Sequence, residues 1–492
     1  MKNKRMQLYF LGFLGAVLVF FIGWQYNIPA AAWVAFPLLI YVFRNTDKWF
    51  QALPIVLLIV VARFFAINGG WNISLPLMAA FALLVSVPLI AALYLDRRYS
   101  KTLNPFLATL IFPCTYIVLD YLLTFANLGM TFSLAYNQST FLALAQSASL
   151  FGSWYVGFIV AWFAPVAVLA ALNMKNLRAI FKPLVIYLVV LGLTLSHGSL
   201  RLVFDRPQSE TVRIASVAVP HDRDYWSITD AATPKSEAVQ NKPTMQEIEK
   251  NLFESSQRAA DYGAKIIFWS EGNCPIYEDD FDAFLKKAES FAKENKVYFM
   301  PAVVELLYGQ TKNNNLAIMI NPDGEIEYRY EKTISWYPSS SDGVIPVVDT
   351  PYGKISTAIC FDMDYPRLIS QARDADIMLV PAFDTKKIVD YHTRVAFMRG
   401  IENGFSTVRQ ANKGASISSD YLGNTLTYQN YFRTNDRVMI SDVPTKGERT
   451  LYGCTGEIFF WLVCAGFVFV NAAFLKKRLT ARNGESGDGS LT

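Results

Sequence analysis

The sequence predicts a polytopic α-helical membrane protein of about eight spans, carrying one α/β domain outside the cytoplasm. Three observations predict it. Of 492 residues, 52% are hydrophobic and only 17% charged, where an ordinary soluble domain carries about 25% charged residues. The apolar residues are gathered into runs of roughly the length that crosses a bilayer. One long stretch, about 205–450, has ordinary polarity and alternates strand and helix signals.

The apolar runs lie at about 7–24, 28–43, 50–67, 74–95, 104–125, 149–172, 183–199 and 457–475. The first follows Lys2, Lys4 and Arg5, but no small-residue cleavage site precedes Gln25, so it reads as a span and not as a removed signal. The second is broken by Pro29 and Pro37. With the N-terminus inside, the inner connections hold Arg44, Lys48, Arg97, Arg98, Lys101, Lys175, Arg178, Lys182 and the group from Lys476 to Arg482. The short outer connections at about 25–27, 68–73 and 126–148 hold no Lys or Arg. The positive-inside rule therefore places both termini in the cytoplasm and residues 205–450 outside. The expected domains are 1–204 with seven spans, 205–450 as the α/β domain, and 451–492 with the eighth span and a tail.

Composition also excludes partners. A net charge of +4 with no basic tract of five argues against nucleic acid. His197, His221 and His392 are far apart, and no CxxC or HxxxH spacing occurs, so no metal and no cofactor is expected. Five cysteines, three of them in or beside the outer domain, fit a free thiol better than a disulfide framework. Two charges fall inside spans, Arg63 and Asp120. They read as a structural pair, as an arginine reaching for headgroups, or as the lining of a lipid-access cavity.

In the outer domain, strands are predicted at 212–219, 265–270, 297–304, 315–320, 325–330, 354–359, 377–380, 406–410 and 415–418. Helices are predicted at 245–262, 280–295, 366–375 and 391–403, and Asn321-Pro322-Asp323-Gly324 reads as a hairpin turn. Three polar residues stand at strand ends: Glu271 after KIIFWS, Lys332 after EIEYRYE, and Cys360 after KISTAI. Strand ends are where layered α/β proteins place chemistry. A carboxylate can take a thiol proton, and an ammonium can stabilise a thiolate and then an oxyanion.

The surrounding words WSEGNCP, YEK and ICFDMDYP resemble the nitrilase, or carbon–nitrogen hydrolase, superfamily. Asn314, Asn315, Pro322-Asp323-Gly324, Ala375-Asp376, Leu379-Val380-Pro381, Arg399, Glu402, Asn412, Gly414 and Gly423 extend the likeness. It implies an αββα sandwich and a thioester acyl-enzyme, with Glu271 as base, Lys332 at the oxyanion and Cys360 as nucleophile. Such a domain outside a membrane, after seven spans and before one, resembles the apolipoprotein N-acyltransferase family. Residues 129–158, with Tyr136, Gln138, Gln146 and Gly152, are similar to it too, as are Thr450-Leu451-Tyr452 and Gly456-Glu457. That likeness implies acyl transfer from a membrane phospholipid to the amino group of a lipoprotein's diacylglyceryl-cysteine, in a bacterial inner membrane.

The sequence departs from the family at three places. Lys332 is followed by TISWYPSSSDG, without the Pro-Phe-Gly-Glu that supplies a second acid, and Asp342 is the candidate replacement. Phe361 and Asp362 stand where the family has Tyr-Glu, and Pro220-His221-Asp222 replaces a Gln-Gly-Asn. Trp226 aligns with a family tryptophan, and Trp336, Tyr337 and Ile345 are candidates for an aromatic rim. Trp226, Trp336, Tyr337, Phe361, Asp362 and Asp342 are therefore the expected substrate contacts. The alternative reading is a membrane-tethered carbon–nitrogen hydrolase, an amidase, acting outside the cytoplasm. A non-catalytic scaffold or transporter is opposed by the retained Glu271, Lys332 and Cys360.

Overall fold

The computed structural model describes all residues except 1, 71–72, 127, 221–241, 311–312, 336–338 and 488–492. The chain divides into two compact units, Met1–Val203 with Thr455–Thr492, and Phe204–Cys454.

Every apolar run folds as a helix in the first unit. Numbering helices of more than ten residues, these are α1 Lys2–Val19, α2 Pro29–Asn45, α3 Leu53–Ile67, α4 Leu75–Tyr99, α5 Pro105–Leu123, α6 Ser153–Leu172 and α7 Phe181–Phe204. The last helix of the chain, Ile458–Gly487, completes the unit. Among the described residues, six helices are long and apolar enough to cross a membrane: Trp49–Ile67, Leu75–Tyr99, Pro105–Ala126, Ser153–Leu172, Phe181–Phe204 and Ile458–Thr480. The other two are marginal by that measure, α1 for its three basic residues and α2 for its length of 17 residues. Proline does not break α2: Pro29 occupies its first turn, where no N–H is required, and Pro37 is accommodated inside.

The charges inside this unit are buried. Arg44 and Asp96 form a two-pronged pair, with both contacts at 2.7 Å. Arg63 donates to the Ile22 carbonyl at 2.6 Å and lies 6.0 Å from the Phe132 ring centroid. Residues 128–152 are mostly buried although only short helical turns form there, at Leu134–Asn137, Leu142–Ala145 and Ala148–Phe151. Irregular backbone needs polar partners when it is shielded from water. Side chains supply them. Gln138 Nε2 donates to the Pro29 carbonyl at 2.9 Å, Trp33 Nε1 donates to Gln138 Oε1 at 3.0 Å, and Arg201 donates to Gln146 Oε1 at 2.6 Å. Gly198 lets α7 approach this segment, since a Cβ there would lie 1.8 Å from the Ala143 carbonyl oxygen.

Among the described residues, the second unit has fourteen strands in two sheets. They are β1 Thr211–Val217, β2 Ile266–Trp269, β3 Cys274–Tyr277, β4 Tyr298–Met300, β5 Ala302–Leu306, β6 Asn313–Ile320, β7 Ile326–Glu331, β8 Val347–Thr350, β9 Gly353–Thr357, β10 Ile377–Phe383, β11 Ser406–Asn412, β12 Ala415–Ser419, β13 Thr425–Asn430 and β14 Val438–Pro444. One sheet runs β14-β1-β2-β4-β6-β5-β3 with β7 on β6, and the other runs β13-β12-β11-β10-β9-β8. Helices α8 Lys242–Asp261 and α9 Phe281–Asn295 pack on the first sheet, and α10 Tyr391–Asn403 packs on the second. The two sheets meet face to face, with Ser216 Oγ donating to Gln410 Oε1 at 2.6 Å and Tyr328 donating to Thr357 Oγ1 at 2.9 Å. The result is an αββα sandwich. Its helix-side core stacks Phe253, Trp269, Phe284, Phe291 and Phe299.

The differences from the predicted strands have local causes. The stretch 297–304 is two strands, because Pro301 interrupts the ladder between β4 and β5. Strand β3 contains Pro275 and was hidden by it; its position at a sheet edge is where a strand proline is tolerated. The helix expected at 366–375 is only Pro366–Ile369 followed by a 3-10 turn, Ser370–Ala372.

The C-terminus of α10 is held by Gly404, in the left-handed region at φ 80°, where an added Cβ would lie 1.7 Å from the Glu448 carbonyl oxygen. Gly404→Ala should therefore combine backbone strain with a collision and cost at least about 2 kcal/mol. Thermal unfolding of the purified chain should fall by several degrees. An unchanged midpoint would show that the Gly404–Glu448 approach is not tight.

Candidate active site

Parallel pairing of β1, β2 and β4 brings strand ends into line, and the chain leaves β2 through Ser270 into a tight turn at Gly272, φ 67°. Asn273 fixes that turn. Its Oδ1 accepts from the Val219 N–H at 2.7 Å, and its Nδ2 donates to the Val219 carbonyl at 3.1 Å. Glu271 is thereby buried, with 6% of its surface exposed. Lys332, the first residue after β7, reaches it: Nζ to Oε1 is 2.6 Å. Asn315 on β6 donates to the same oxygen at 2.7 Å, and its carbonyl accepts the Lys332 N–H at 2.9 Å. Glu271 Oε2 has no hydrogen-bond partner among the described residues, which leaves one carboxylate oxygen open for a proton.

Cys360 stands where β9 gives way to the 3-10 turn Cys360–Asp364. Its φ of 49° is rare for a residue with a side chain. Such strain persists only where the surroundings hold it, and it marks functional positions. Asp362 does the holding. It accepts the Ile334 N–H at 2.7 Å, the Ile359 N–H at 3.0 Å and the Tyr330 hydroxyl at 2.7 Å. Ile334, two residues after Lys332, and Ile359, the residue before Cys360, are thus tied to one carboxylate. Burial pushes that carboxyl up to about 6, against Lys332 and the donors, which pull it down.

The thiol is buried and donates to the Phe383 carbonyl at 3.5 Å. Burial and the Glu271 charge raise the thiol pKa, Lys332 opposes them, Asp384 adds to the rise and Arg409 opposes it. Burial alone would lower the Lys332 pKa, but Glu271 outweighs it, helped by Cys360 and Asp362, and the ammonium stays protonated.

The expected residues therefore separate. Glu271, Lys332 and Cys360 converge. Asp362 is fully buried and spends both oxygens on protein donors, so it shapes the turn; Phe361 packs against Tyr365, with ring centroids 5.5 Å apart. Asp342 is exposed, and its Oδ1 accepts from the Val344 N–H at 2.9 Å within its own loop. Ile345, expected on a rim, is buried instead, with its N–H donated to Gln371 at 3.1 Å. Trp226, Trp336 and Tyr337 lie outside the described residues.

Sequence reasoning missed a second set of groups beside the thiol. Asp384, just after β10, takes Arg409 Nη2 at 2.9 Å on both oxygens and meets His392 Nδ1 at 2.8 Å. Burial would raise the Asp384 pKa, but Arg409 and His392 hold it below the usual carboxylate value. Among the described residues, Cys360, Asp384 and His392 each place one ligand atom within 4.8 Å of the others, the spacing a cation would need. The buried guanidinium on Asp384 already balances that carboxylate and opposes a further cation. The only hint in the sequence was a lone histidine, which carries no signal without its partners.

Comparison with known proteins follows the same outline. Residues 215–443 match the family model described as Carbon-nitrogen hydrolase, so the second unit contains a carbon–nitrogen hydrolase domain, on a chain with six helices fit to cross a membrane. The formamidase of Helicobacter acinonychis is 38% identical over 96 residues, 18% of this chain and 29% of that protein. The apolipoprotein N-acyltransferase of Vibrio vulnificus is 24% identical over 258 residues, 45% of this chain and 50% of that protein. These two matches span half or less of the relatives' own lengths. The apolipoprotein N-acyltransferase of Shewanella oneidensis is 24% identical over 465 residues, 82% of this chain and 84% of that protein. Residues 215–443 thus form a carbon–nitrogen hydrolase domain, and over most of its length the chain is similar to apolipoprotein N-acyltransferases.

Proposed function

We propose that the chain is an acyltransferase that moves a fatty acyl group from a membrane phospholipid to the N-terminal amine of a lipoprotein's diacylglyceryl-cysteine. The observation that carries this reading is a buried Glu271–Lys332 pair, 2.6 Å apart, beside a cysteine held at positive φ. It is supported by relatives named apolipoprotein N-acyltransferase that match both the helical part and the outer domain.

In the first step Glu271, through its unpaired Oε2, takes the Cys360 thiol proton as sulfur attacks the ester carbonyl. The Lys332 ammonium faces the oxygen that gains charge. The tetrahedral species collapses to a thioester, and the proton on Glu271 leaves with the lysophospholipid hydroxyl. In the second step the lipoprotein amine attacks the thioester, Glu271 accepts its proton, and that proton returns to the departing thiolate. Asn315 keeps Glu271 aimed while Lys332 shares the same oxygen. Trp226, Trp336 and Tyr337 remain proposed substrate contacts on their sequence positions, and Asp342 remains the proposed substitute for the family's second acid.

A membrane-tethered amidase would use the same three residues. The helical unit favours the acyltransferase: anchoring needs one span, whereas lipid substrates are met by a chain with six membrane-length helices. We place the second unit outside the cytoplasm and both termini inside, on the distribution of Lys and Arg among the short connections.

Two experiments test the reading. Mass spectrometry of lipoprotein N-termini should show a third acyl chain in cells with the gene and its absence without it. Cys360→Ala should give the same loss with the chain still in the membrane, whereas Cys274→Ala, buried in the helix-side core, should leave acylation in place. Loss with Cys274→Ala and retention with Cys360→Ala would remove the nucleophile assignment. For orientation, a cysteine placed at Ser290 should react with an impermeant maleimide in intact cells and one at Ser486 should not; the reverse pattern would invert the topology.

A further inference from the structure

The mechanism above uses the charges at the ends of β2 and β7, which belong to the larger sheet. The smaller sheet and α10 bring a second set to the same sulfur. An Asp384 oxygen, a His392 ring nitrogen and Cys360 Sγ lie within 4.8 Å of one another, all on buried residues. Strand β11 and helix α10 fix Asp384 there. Its N–H bonds to the Asn412 carbonyl at 2.9 Å, Arg409 on β11 grips both oxygens at 2.9 Å, and His392 on α10 meets one at 2.8 Å. Gly414 lies so close that a Cβ on it would be 2.4 Å from Asp384 Oδ2. The carboxylate cannot swing away from the thiol without disturbing three elements.

The groups facing the sulfur form a balanced set. Glu271 and Lys332 form one pair and Asp384 and Arg409 another, with His392 between Asp384 and Asp364, whose nearer oxygen is 3.9 Å from Nε2. A cysteine activated in advance sits beside a cation that is free to stabilise thiolate. Here each of the two cations is already engaged by a carboxylate, and a like charge close to a thiolate disfavours it.

We propose that Asp384 is a positioning residue whose charge keeps Cys360 protonated between turnovers, so that thiolate forms only as Glu271 withdraws the proton toward a bound ester. This rests on Cys360 being the nucleophile. The benefit is chemical: the thiolate is the form that oxidants attack, so a protonated resting cysteine survives exposure that would consume an activated one. Deleting the Asp384 charge lowers the pH at which the thiolate appears; weakening the packing while keeping the charge does not.

The test follows alkylation of Cys360 by iodoacetamide from pH 6 to pH 11 in the full chain, in detergent, by mass spectrometry of the Cys360 peptide. Asp384→Asn should lower the midpoint by about one pH unit or more and speed alkylation at neutral pH roughly tenfold. Asp384→Glu disturbs the same packing but retains the charge, and its midpoint should not fall. Breaking one half of a buried pair can prevent folding, so the double variant Asp384→Asn/Arg409→Gln provides a charge-neutral replacement; because it also removes the opposing Arg409 charge, its midpoint should fall by less than that of Asp384→Asn. A folded Asn or double variant with the wild-type midpoint would overturn the proposal, as would an equal fall in Asp384→Glu, which would trace the effect to looser packing. The readout needs no acyl transfer, so it stands apart from the fate of the proposed function, which the Cys360→Ala acylation assay decides.

Discussion

A carboxylate and an ammonium are buried together at the strand ends of the second unit, and the rest of the site depends on that pair. Glu271 and Lys332 are 2.6 Å apart, with side-chain exposures of 7% and 14%. Neither ion could be buried alone without a large desolvation cost. Together they leave one carboxylate oxygen unpaired and one ammonium close to the sulfur. The geometry requires β2 and β7 to end at the same level. The parallel order β1-β2-β4 and the hairpin joining β6 to β7 provide that.

A second requirement is that the cysteine proposed as nucleophile be presented from the other sheet. Cys360 follows β9, and the turn that holds it has a positive φ at this residue. Asp362 stabilises that turn by collecting two backbone N–H groups and a tyrosine hydroxyl, one of them from the segment after Lys332. One buried carboxylate thus fixes the spacing between the two halves of the site.

Much of this was legible in the chain. Apolar runs of the right length became helices because bilayer-length hydrophobicity is a local property, and the strand-end residues were visible because strands announce themselves by composition. The meeting of Glu271, Lys332 and Cys360 was legible only through the family resemblance, since 89 positions separate the first from the last. Asp362 was read as a substrate contact because Phe361-Asp362 stands where the family has Tyr-Glu; a 3-10 turn, which spacing does not announce, directs it inward. Asp384, His392 and Arg409 were missed because they come from three segments and meet only when β10, α10 and β11 pack. Their sequence neighbourhoods show ordinary strand and helix signals.

The central claim is that Cys360 carries the acyl group and that Lys332 and Glu271 make its formation possible. It is tested most directly by incubating the purified chain with labelled phospholipid and measuring a hydroxylamine-sensitive adduct on Cys360. Removing an oxyanion donor costs about 10²–10³ in rate and removing a general base about 10²–10⁴. The wild-type chain should accumulate the adduct, while Lys332→Ala and Glu271→Gln should form it slower by those factors. Lys332→Arg should recover little, because a planar fork does not replace a compact ammonium. Adduct formation at the wild-type rate in Lys332→Ala and Glu271→Gln would contradict the account, and would leave the likeness to the acyltransferases as one of fold without a shared mechanism.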